Sequence, residues 1–104
     1  MRTANLEQGW YHEYKPGRVY AVQFEDGLVK IGWTANPDQR FDKLECDYRG
    51  RYCRIVREYI GPIVQKARLA EALVLLGLKP IEKKELFEIP FHVAVDRIKA
   101  ICGN

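Results

Sequence analysis

The sequence predicts a small α+β fold in which a three-stranded antiparallel sheet is flanked by helices. Short runs of β-branched and aromatic residues alternate with helical patterns in the order β-β-α-β-α-α, and a short extended segment precedes the last helix. The 104 residues suffice for one hydrophobic core but not for two. We therefore expect a single domain over residues 18–104, preceded by an N-terminal arm over residues 1–17.

The composition, 47% hydrophobic and 30% charged, is typical of a globular chain. No apolar run approaches the roughly 20 residues that a membrane span needs, and the N-terminus lacks the apolar core of a signal peptide, so we expect a cytoplasmic protein without membrane contact. The three cysteines, Cys46, Cys53 and Cys102, are odd in number and have no CxxC spacing, and His12 and His92 lie far apart in the sequence. These features favour neither a disulfide framework nor a structural zinc site.

The arm shows no sustained periodicity, and glycine and proline interrupt it. Trp10, Tyr11 and Tyr14 make it too apolar for a free tail. We expect it to pack on the domain or to meet a partner, which would be another protein or a second copy of the chain.

Residues 18–24 (RVYAVQF) and 28–34 (LVKIGWT) are rich in β-branched and aromatic side chains and are predicted to pair as a hairpin. Gly32, near the end of the second strand, leaves a bare backbone position that a ligand or another part of the chain can approach closely. Thr34 follows it at the strand end.

The loop between the two strands decides which side chains share a face. A two-residue Asp26-Gly27 turn would place Tyr20 opposite Trp33 and put Lys30 on the other side of the sheet. A three-residue loop over 25–27, with Gly27 left-handed, places Tyr20 opposite Gly32 and on the same face as Lys30. We favour the second arrangement because it leaves an unbroken apolar face formed by Val19, Ala21, Val29, Ile31 and Trp33.

The segment Asn36-Pro37-Asp38-Gln39 is a strong helix start, with an N-cap residue, proline at the first helical position and glutamine three residues after the cap. The helix is predicted to run to about Asp47. Arg40 then lies in its first turn, and Phe41 and Leu44 point to the core.

A third strand is predicted over residues 52–60, and a long apolar helix over 63–77 opens at Gly61-Pro62. Glu71 is the only acidic residue between Ile60 and Ile81. A carboxylate on so apolar a helix is costly to bury unless a cation meets it, so a salt bridge and a metal-binding or catalytic role both remain open. A short extended segment over 85–89 and a last helix over 90–102 complete the fold.

The net charge is +3, and basic residues between positions 40 and 68 are interleaved with tyrosines. This composition is typical of a surface that contacts phosphates and stacks on bases, although an ordinary solvated face has the same composition. The candidate DNA-binding residues are Arg49, Arg51, Arg54, Lys66 and Arg68.

Four positions, in the order Tyr20, Gly32, Arg40 and Glu71, resemble the signature of the GIY-YIG nuclease family. Arg18-Val19-Tyr20 stands in the place of the first triplet and Lys30-Ile31-Gly32 in that of the second. The eight-residue step from Gly32 to Arg40 matches the family's spacing to its catalytic arginine, and Glu71 matches its metal-binding glutamate.

The resemblance covers about residues 18–100 and is closest to the small branch with a KIG second triplet and an acidic-aromatic motif, here Glu85-Leu86-Phe87. The chain departs from the family in several places. Lys30 replaces the second signature tyrosine, Arg18 replaces the first glycine, and Leu44 stands where some members have histidine or tyrosine. The late asparagine of several members has no evident counterpart.

The resemblance implies a divalent-metal-dependent DNA endonuclease with the catalytic set Tyr20, Lys30, Arg40 and Glu71. Lys30 would lower the pKa of Tyr20 so that it acts as a base, and Arg40 would clamp the phosphate. Glu71 would hold one Mg²⁺ or Mn²⁺. The alternative is a catalytically silent module of the same fold that binds nucleic acid or a protein.

Overall fold

A computed structural model describes residues 15–47, 53–81 and 86–104. In chain order, the elements are β1 (Gly17–Phe24), β2 (Val29–Thr34), α1 (Pro37–Asp47), β3 (Ile55–Val64), α2 (Ala67–Leu75), β4 (Leu86–Phe87) and α3 (Phe91–Cys102). The predicted α+β class is confirmed. Every helix within the described ranges is too short or too polar to cross a lipid bilayer.

The strands form one antiparallel sheet in the order β3-β1-β2-β4, so β1 and β2 are central. The short extended segment that the sequence indicated is a fourth strand, one more than predicted. It pairs with β2 only at Val29 and Lys30. In the described part of the chain, the edge of β2 from Ile31 to Thr34 has no further strand beside it.

The β1–β2 hairpin has the predicted register, in which Tyr20 is the partner of Gly32. The Phe24 N–H donates to the Leu28 carbonyl across 3.0 Å, which encloses a three-residue loop. Gly27, the last residue of this loop, has φ 91°. A left-handed glycine here provides the twist that closes a three-residue hairpin loop.

Two apolar clusters cover the two faces of the sheet. The first joins alternate residues of β1 and β2 to α2, β4 and α3, and it contains Val19, Ala21, Val29, Ile31, Val74, Phe87, Ala94 and Ile98, with Trp33 packed against it. The second joins the other face to α1, and it contains Tyr20, Val22, Phe24, Leu28, Phe41, Cys53 and Leu86, with Leu44 beside it. The predicted apolar face is therefore confirmed, and α1 lies on the face that carries Tyr20.

The N-terminal cap of α1 forms as predicted, because the Asn36 Oδ1 accepts the Gln39 N–H across 3.3 Å. At the other end of the helix, Glu45 holds the start of β3 in two ways. Its carboxylate accepts the Ile55 N–H across 2.7 Å, and its carbonyl accepts the Cys53 N–H across 3.0 Å. These contacts fix where the chain re-enters the sheet.

The prediction of a strand over 52–60 and a helix over 63–77 was wrong at its boundary. β3 continues through Gly61-Pro62 to Val64, and α2 begins only at Ala67. The pairing of β1 with β3 shifts between Arg18 and Tyr20, so Gly61 and Pro62 form a bulge on an edge strand. Proline, which has no N–H to donate, is tolerated in a sheet at such positions.

An arginine of α3 binds the C-terminal end of α2. The Arg97 Nε donates to the Val74 carbonyl across 2.8 Å, and its Nη2 donates to the Leu76 carbonyl. Carbonyls in the last turn of a helix have no partner within the helix. Arg97 therefore caps α2 and fixes its angle to α3.

We expect Arg97→Met, which keeps the apolar stem but removes the donors, to lower the free energy of unfolding by about 1–2 kcal/mol, the usual loss for hydrogen bonds to a charged donor. Urea denaturation measures this loss. The matched control is Arg57→Met, because Arg57 is exposed on β3. Equal stability of the two variants would contradict the capping role.

Candidate active site

The centre of the site is the place where Tyr20 lies across Gly32. A Cβ atom at Gly32 would lie 2.5 Å from the Tyr20 Oη and 2.7 Å from its Cζ. No real Cβ makes such contacts, so any side chain at position 32 would displace the phenol. The glycine thus provides the space in which the Tyr20 ring lies.

Two neighbouring residues of α1 hold the Tyr20 side chain. The Phe41 ring meets the phenol edge to face, with 5.1 Å between the ring centres and 72° between the planes. The Arg40 Nε donates a hydrogen bond to the Tyr20 Oη across 3.2 Å. Tyr20 has no exposed surface, and its hydroxyl therefore finds its partner in a guanidinium, which has four further N–H groups.

An open depression of about 370 Å³ lies beside this pair. Two cations, two amides and a hydroxyl line it, contributed by Thr34, Asn36, Gln39, Arg40 and Lys43. Among the described residues, the lining contains no carboxylate and carries a formal charge of +2. Such a surface favours a negatively charged ligand.

The structure brings most of the predicted site to one face of the sheet. Lys30 lies opposite Val22 and diagonal to Tyr20, and it is only 8% exposed because β4 pairs beside it. Gly32 and Thr34 follow at alternate positions of the same strand. Residues two apart on a strand share a face, so Tyr20 and Lys30 lie on one face of the sheet, as the predicted register requires.

Sequence reasoning missed Lys43, Gln39 and Asn36 as lining residues, and it treated Arg18 only as a departure from a motif. Arg18 lies on the Tyr20 face, and its Nη1 donates to the Gly61 carbonyl across 3.1 Å. Lys43 could have been predicted as a lining residue from its position three residues after Arg40, since residues three apart lie on the same side of a helix.

Glu71 lies on α2, whose core side chains cover the opposite face of the sheet from Tyr20. It is half-buried, one helical turn after Ala67, and it makes a polar contact within the chain. The Ala67 Cβ lies 3.2 Å from where a Cβ of Gly17 would be, next to the Trp33 ring. Helix α2 therefore begins beside the last residues of β2, close to the β2 edge that β4 leaves uncovered.

The predicted DNA-binding residues fall at two ends of the sheet. Lys66 and Arg68 are exposed at the start of α2, at the same end as Thr34. Arg54 is at the hairpin end, where its backbone N–H donates to the Glu25 Oε1 across 3.1 Å. The eight residues of β1 separate the two ends by about 23 Å. Arg49 and Arg51 lie outside the described residues, as do residues 1–14 of the arm and Glu85.

All three cysteines are free thiols. Cys53 is buried in the cluster around Tyr20, and Cys46 is exposed on α1. Burial raises the pKa of the Cys102 thiol, so this side chain stays protonated at neutral pH and packs as an apolar group against the first cluster.

A family model described as the T5orf172 domain matches residues 17–102. The match begins at the first residue of β1 and ends at the last residue of α3, so it includes every described strand and helix. It is a different model from that of the GIY-YIG nucleases. No curated protein and no solved structure gives a significant match.

We expect Gly32→Ala to displace the buried phenol, to break its hydrogen bond with Arg40 and to lower the free energy of unfolding by about 1–3 kcal/mol, the usual cost of overpacking. Urea denaturation measures the loss. In the Gly32→Ala background, Tyr20→Phe should lower the free energy of unfolding by less than it does in the wild type, because the hydrogen bond from Arg40 to the hydroxyl is already broken.

Gly103→Asn is the matched control, since a Cβ there also meets nothing within 4 Å and the position follows α3, away from the hairpin. This variant should leave the effect of Tyr20→Phe unchanged. An identical effect of Tyr20→Phe in the wild type and in Gly32→Ala would contradict the assigned role of Gly32.

Proposed function

The chain belongs to the T5orf172 domain family, and we propose that it is a divalent-metal-dependent DNA endonuclease of the GIY-YIG type. The family is associated with nuclease-like and DNA-binding functions, which supports a nucleic-acid-related role. One observation carries the proposal. An arginine that is hydrogen-bonded to a buried tyrosine lines an open cationic depression, with a glycine making room for the phenol.

The GIY-YIG assignment goes further than the family match and rests on the site. The resemblance requires the tyrosine of the first strand to meet the glycine of the second, and Tyr20 pairs with Gly32. It also requires the arginine eight positions later to return to that tyrosine, and Arg40 does so. Both requirements depend on register and on helix docking, which composition does not determine.

Arg40 is proposed to stabilise the charge that develops on the phosphodiester during attack. Phosphodiester hydrolysis places additional negative charge on the phosphoryl oxygens, and a fixed cation in a partly desolvated site stabilises that charge more than a mobile one in water. The hydrogen bond from Nε to Tyr20 fixes the guanidinium plane. The remaining N–H groups are suited to a planar, two-pronged contact with phosphate.

Tyr20 is proposed to hold Arg40 and to receive the proton of the attacking water. A hydrogen bond from a cation stabilises a negative charge on the phenol oxygen, which suits a base. A base must also reach the water, and Tyr20 has no exposed surface. The second role therefore requires that bound DNA brings water to the hydroxyl at the boundary with the depression.

Glu71 is proposed to hold Mg²⁺ or Mn²⁺. The described residues contain no group of three or more His, Cys, Asp or Glu side chains that would form a protein-only metal site. A single carboxylate fits Mg²⁺, which binds one or two protein carboxylates together with water and substrate phosphate oxygens. When bound, the metal supplies counter-charge for the phosphoryl group and the leaving oxygen.

The second candidate function is a silent module that binds nucleic acid without cutting it. Full burial of Tyr20 favours it, because a buried hydroxyl meets no bulk water. The contact that Glu71 already makes within the chain also favours it. In this case, the cationic depression would bind the phosphate backbone and no bond would break.

We expect Glu71→Gln to abolish Mg²⁺-dependent cleavage of supercoiled DNA while the protein stays folded, because the amide keeps the shape but removes the charge that holds the cation. Arg40→Ala should slow cleavage by roughly two to three orders of magnitude, the usual effect of losing one preorganised contact to the transition state, and should weaken DNA binding only modestly. Agarose gels with Mg²⁺, Mn²⁺ or chelator measure the cleavage.

Matched controls are Glu58→Gln and Arg57→Ala, since both side chains are exposed on β3. They should cut as the wild type does. If Glu71 only forms a salt bridge, Glu71→Gln should unfold more easily and should cleave in proportion to its folded fraction. Wild-type protein that binds DNA but never cuts it with either metal would establish the silent module.

We expect DNA affinity to fall steeply with salt because Lys66 and Arg68 contact phosphates. Replacing both with alanine should reduce the log-log slope of affinity against salt by about 1.8, or about 0.9 for each contact. Fluorescence anisotropy with a labelled duplex in chelator measures the slope. Arg54→Ala then tests whether the DNA extends to the hairpin end. Affinity independent of ionic strength would indicate a protein partner instead.

A further inference from the structure

We infer that the depression lined by Thr34, Asn36, Gln39, Arg40 and Lys43 binds a second phosphodiester of the DNA strand, adjacent to the one at Arg40, and that Lys43 is the residue that positions it. This inference rests on the proposed function and deepens it. It assigns a use to Lys43, which neither the tyrosine–arginine pair nor the metal site requires.

The lining offers hydrogen-bond donors to an anion. The Thr34 Oγ1 accepts the Asn36 N–H across 3.1 Å, so its own proton remains for another acceptor. The Asn36 Oδ1 is used in the cap of α1, which leaves its NH₂ group to donate. Together with the Gln39 amide and two cations, the lining matches an oxygen-rich group of charge −1 or more.

The two cations of the depression are held differently. Arg40 is half-buried, and its Nε is bound to Tyr20, so its guanidinium stays near the sheet. Lys43, three residues further along α1, is exposed, and its Cβ lies about 5–6 Å from that of Arg40. One side chain is thus fixed at the phenol while the other lines the depression three residues further along the helix, an arrangement suited to two phosphates rather than one.

The size of the depression supports the same conclusion. The open depression has a volume of about 370 Å³, whereas on the same measure of volume a single water needs only about 10–15 Å³. This exceeds the space that one inorganic anion needs and accommodates a phosphate with part of its sugar. Consecutive phosphates of a strand advance by about 3.4 Å along the helix axis, and they lie further apart than that through space because the strand also winds around the axis. One nucleotide step is therefore comparable with the spacing of about 5–6 Å between the Cβ atoms of Arg40 and Lys43.

A consequence is that a single phosphodiester does not fill the site. A small diester with aromatic ester groups would occupy the position at Arg40 only, whereas an oligonucleotide would gain the contact with Lys43. The depression is thus expected to raise affinity for the strand and to set where along it the phosphate at Arg40 lies.

The test measures binding of a labelled 12-base-pair duplex in chelator, so that no cleavage is needed. Lys43→Ala should reduce the slope of log affinity against log salt concentration by about 0.9. The factor by which this variant binds the duplex more weakly than the wild type should therefore fall about threefold between 50 and 200 mM salt. Lys43→Arg should restore the slope. The matched control is Lys99→Ala, because Lys99 is exposed on α3, on the other side of the sheet.

A second measurement locates the contact on the strand. Replacing single phosphates by uncharged methylphosphonates should reveal one position at which neutralisation weakens wild-type binding but has no further effect on Lys43→Ala. That position should be one nucleotide from the phosphate whose neutralisation has no further effect on Arg40→Ala. Both measurements use binding alone. Absence of cleavage would therefore contradict the proposed endonuclease activity but would not decide the role of Lys43.

Unchanged slope and affinity for Lys43→Ala would overturn the inference. Polyglutamate serves as the competing probe for an acidic protein ligand. If Lys43→Ala loses polyglutamate binding but keeps the DNA salt slope, the depression binds an acidic protein and the inference is wrong.

Discussion

The whole site depends on one steric fit, the Tyr20 phenol lying across the bare backbone of Gly32. Because strand side chains alternate between faces, a slip of one residue in the hairpin would turn Tyr20 toward α2 and α3 and leave Gly32 without a function. The three-residue loop that ends in left-handed Gly27 prevents that slip. With the register fixed, α1 can place Phe41 against the ring and Arg40 against the hydroxyl.

The topology then gathers cations at one end of the sheet. The antiparallel hairpin brings the start of β1 beside the end of β2, and the end of β3 joins them. Helices α1 and α2 follow the ends of β2 and β3, so both begin at this end, on opposite faces. Arg40 and Lys43 are on one side, and Lys66 and Arg68 on the other. A phosphate backbone that follows these four residues would pass the β2 edge left open by the short β4.

Local signals made the hairpin and α1 predictable from sequence. The three-residue loop over 25–27 and the helix cap at Asn36 depend on hydrogen bonds within a few residues, and both form as expected. The boundary of β3 and α2 was not predictable, because Pro62 is tolerated only where an edge strand bulges against Arg18, a property of the assembled sheet. Likewise, the depression at Lys43 depends on how α1 docks, and the position of Glu71 on the far face depends on how α2 packs.

The choice of partner for the buried hydroxyl is itself informative. Phenylalanine at position 20 would fill the same space without needing a partner, and a neutral acceptor or a water molecule would satisfy the tyrosine at lower cost than a guanidinium that must be partly desolvated. Arg40 instead donates one N–H to the phenol and lines a depression in which the described residues include a second cation and no carboxylate. Like charges that line one depression repel each other, and a bound anion reduces that repulsion. The tyrosine–arginine pair is therefore suited to binding an anion, and a nucleic-acid strand is the anion that the proposed function assigns to it.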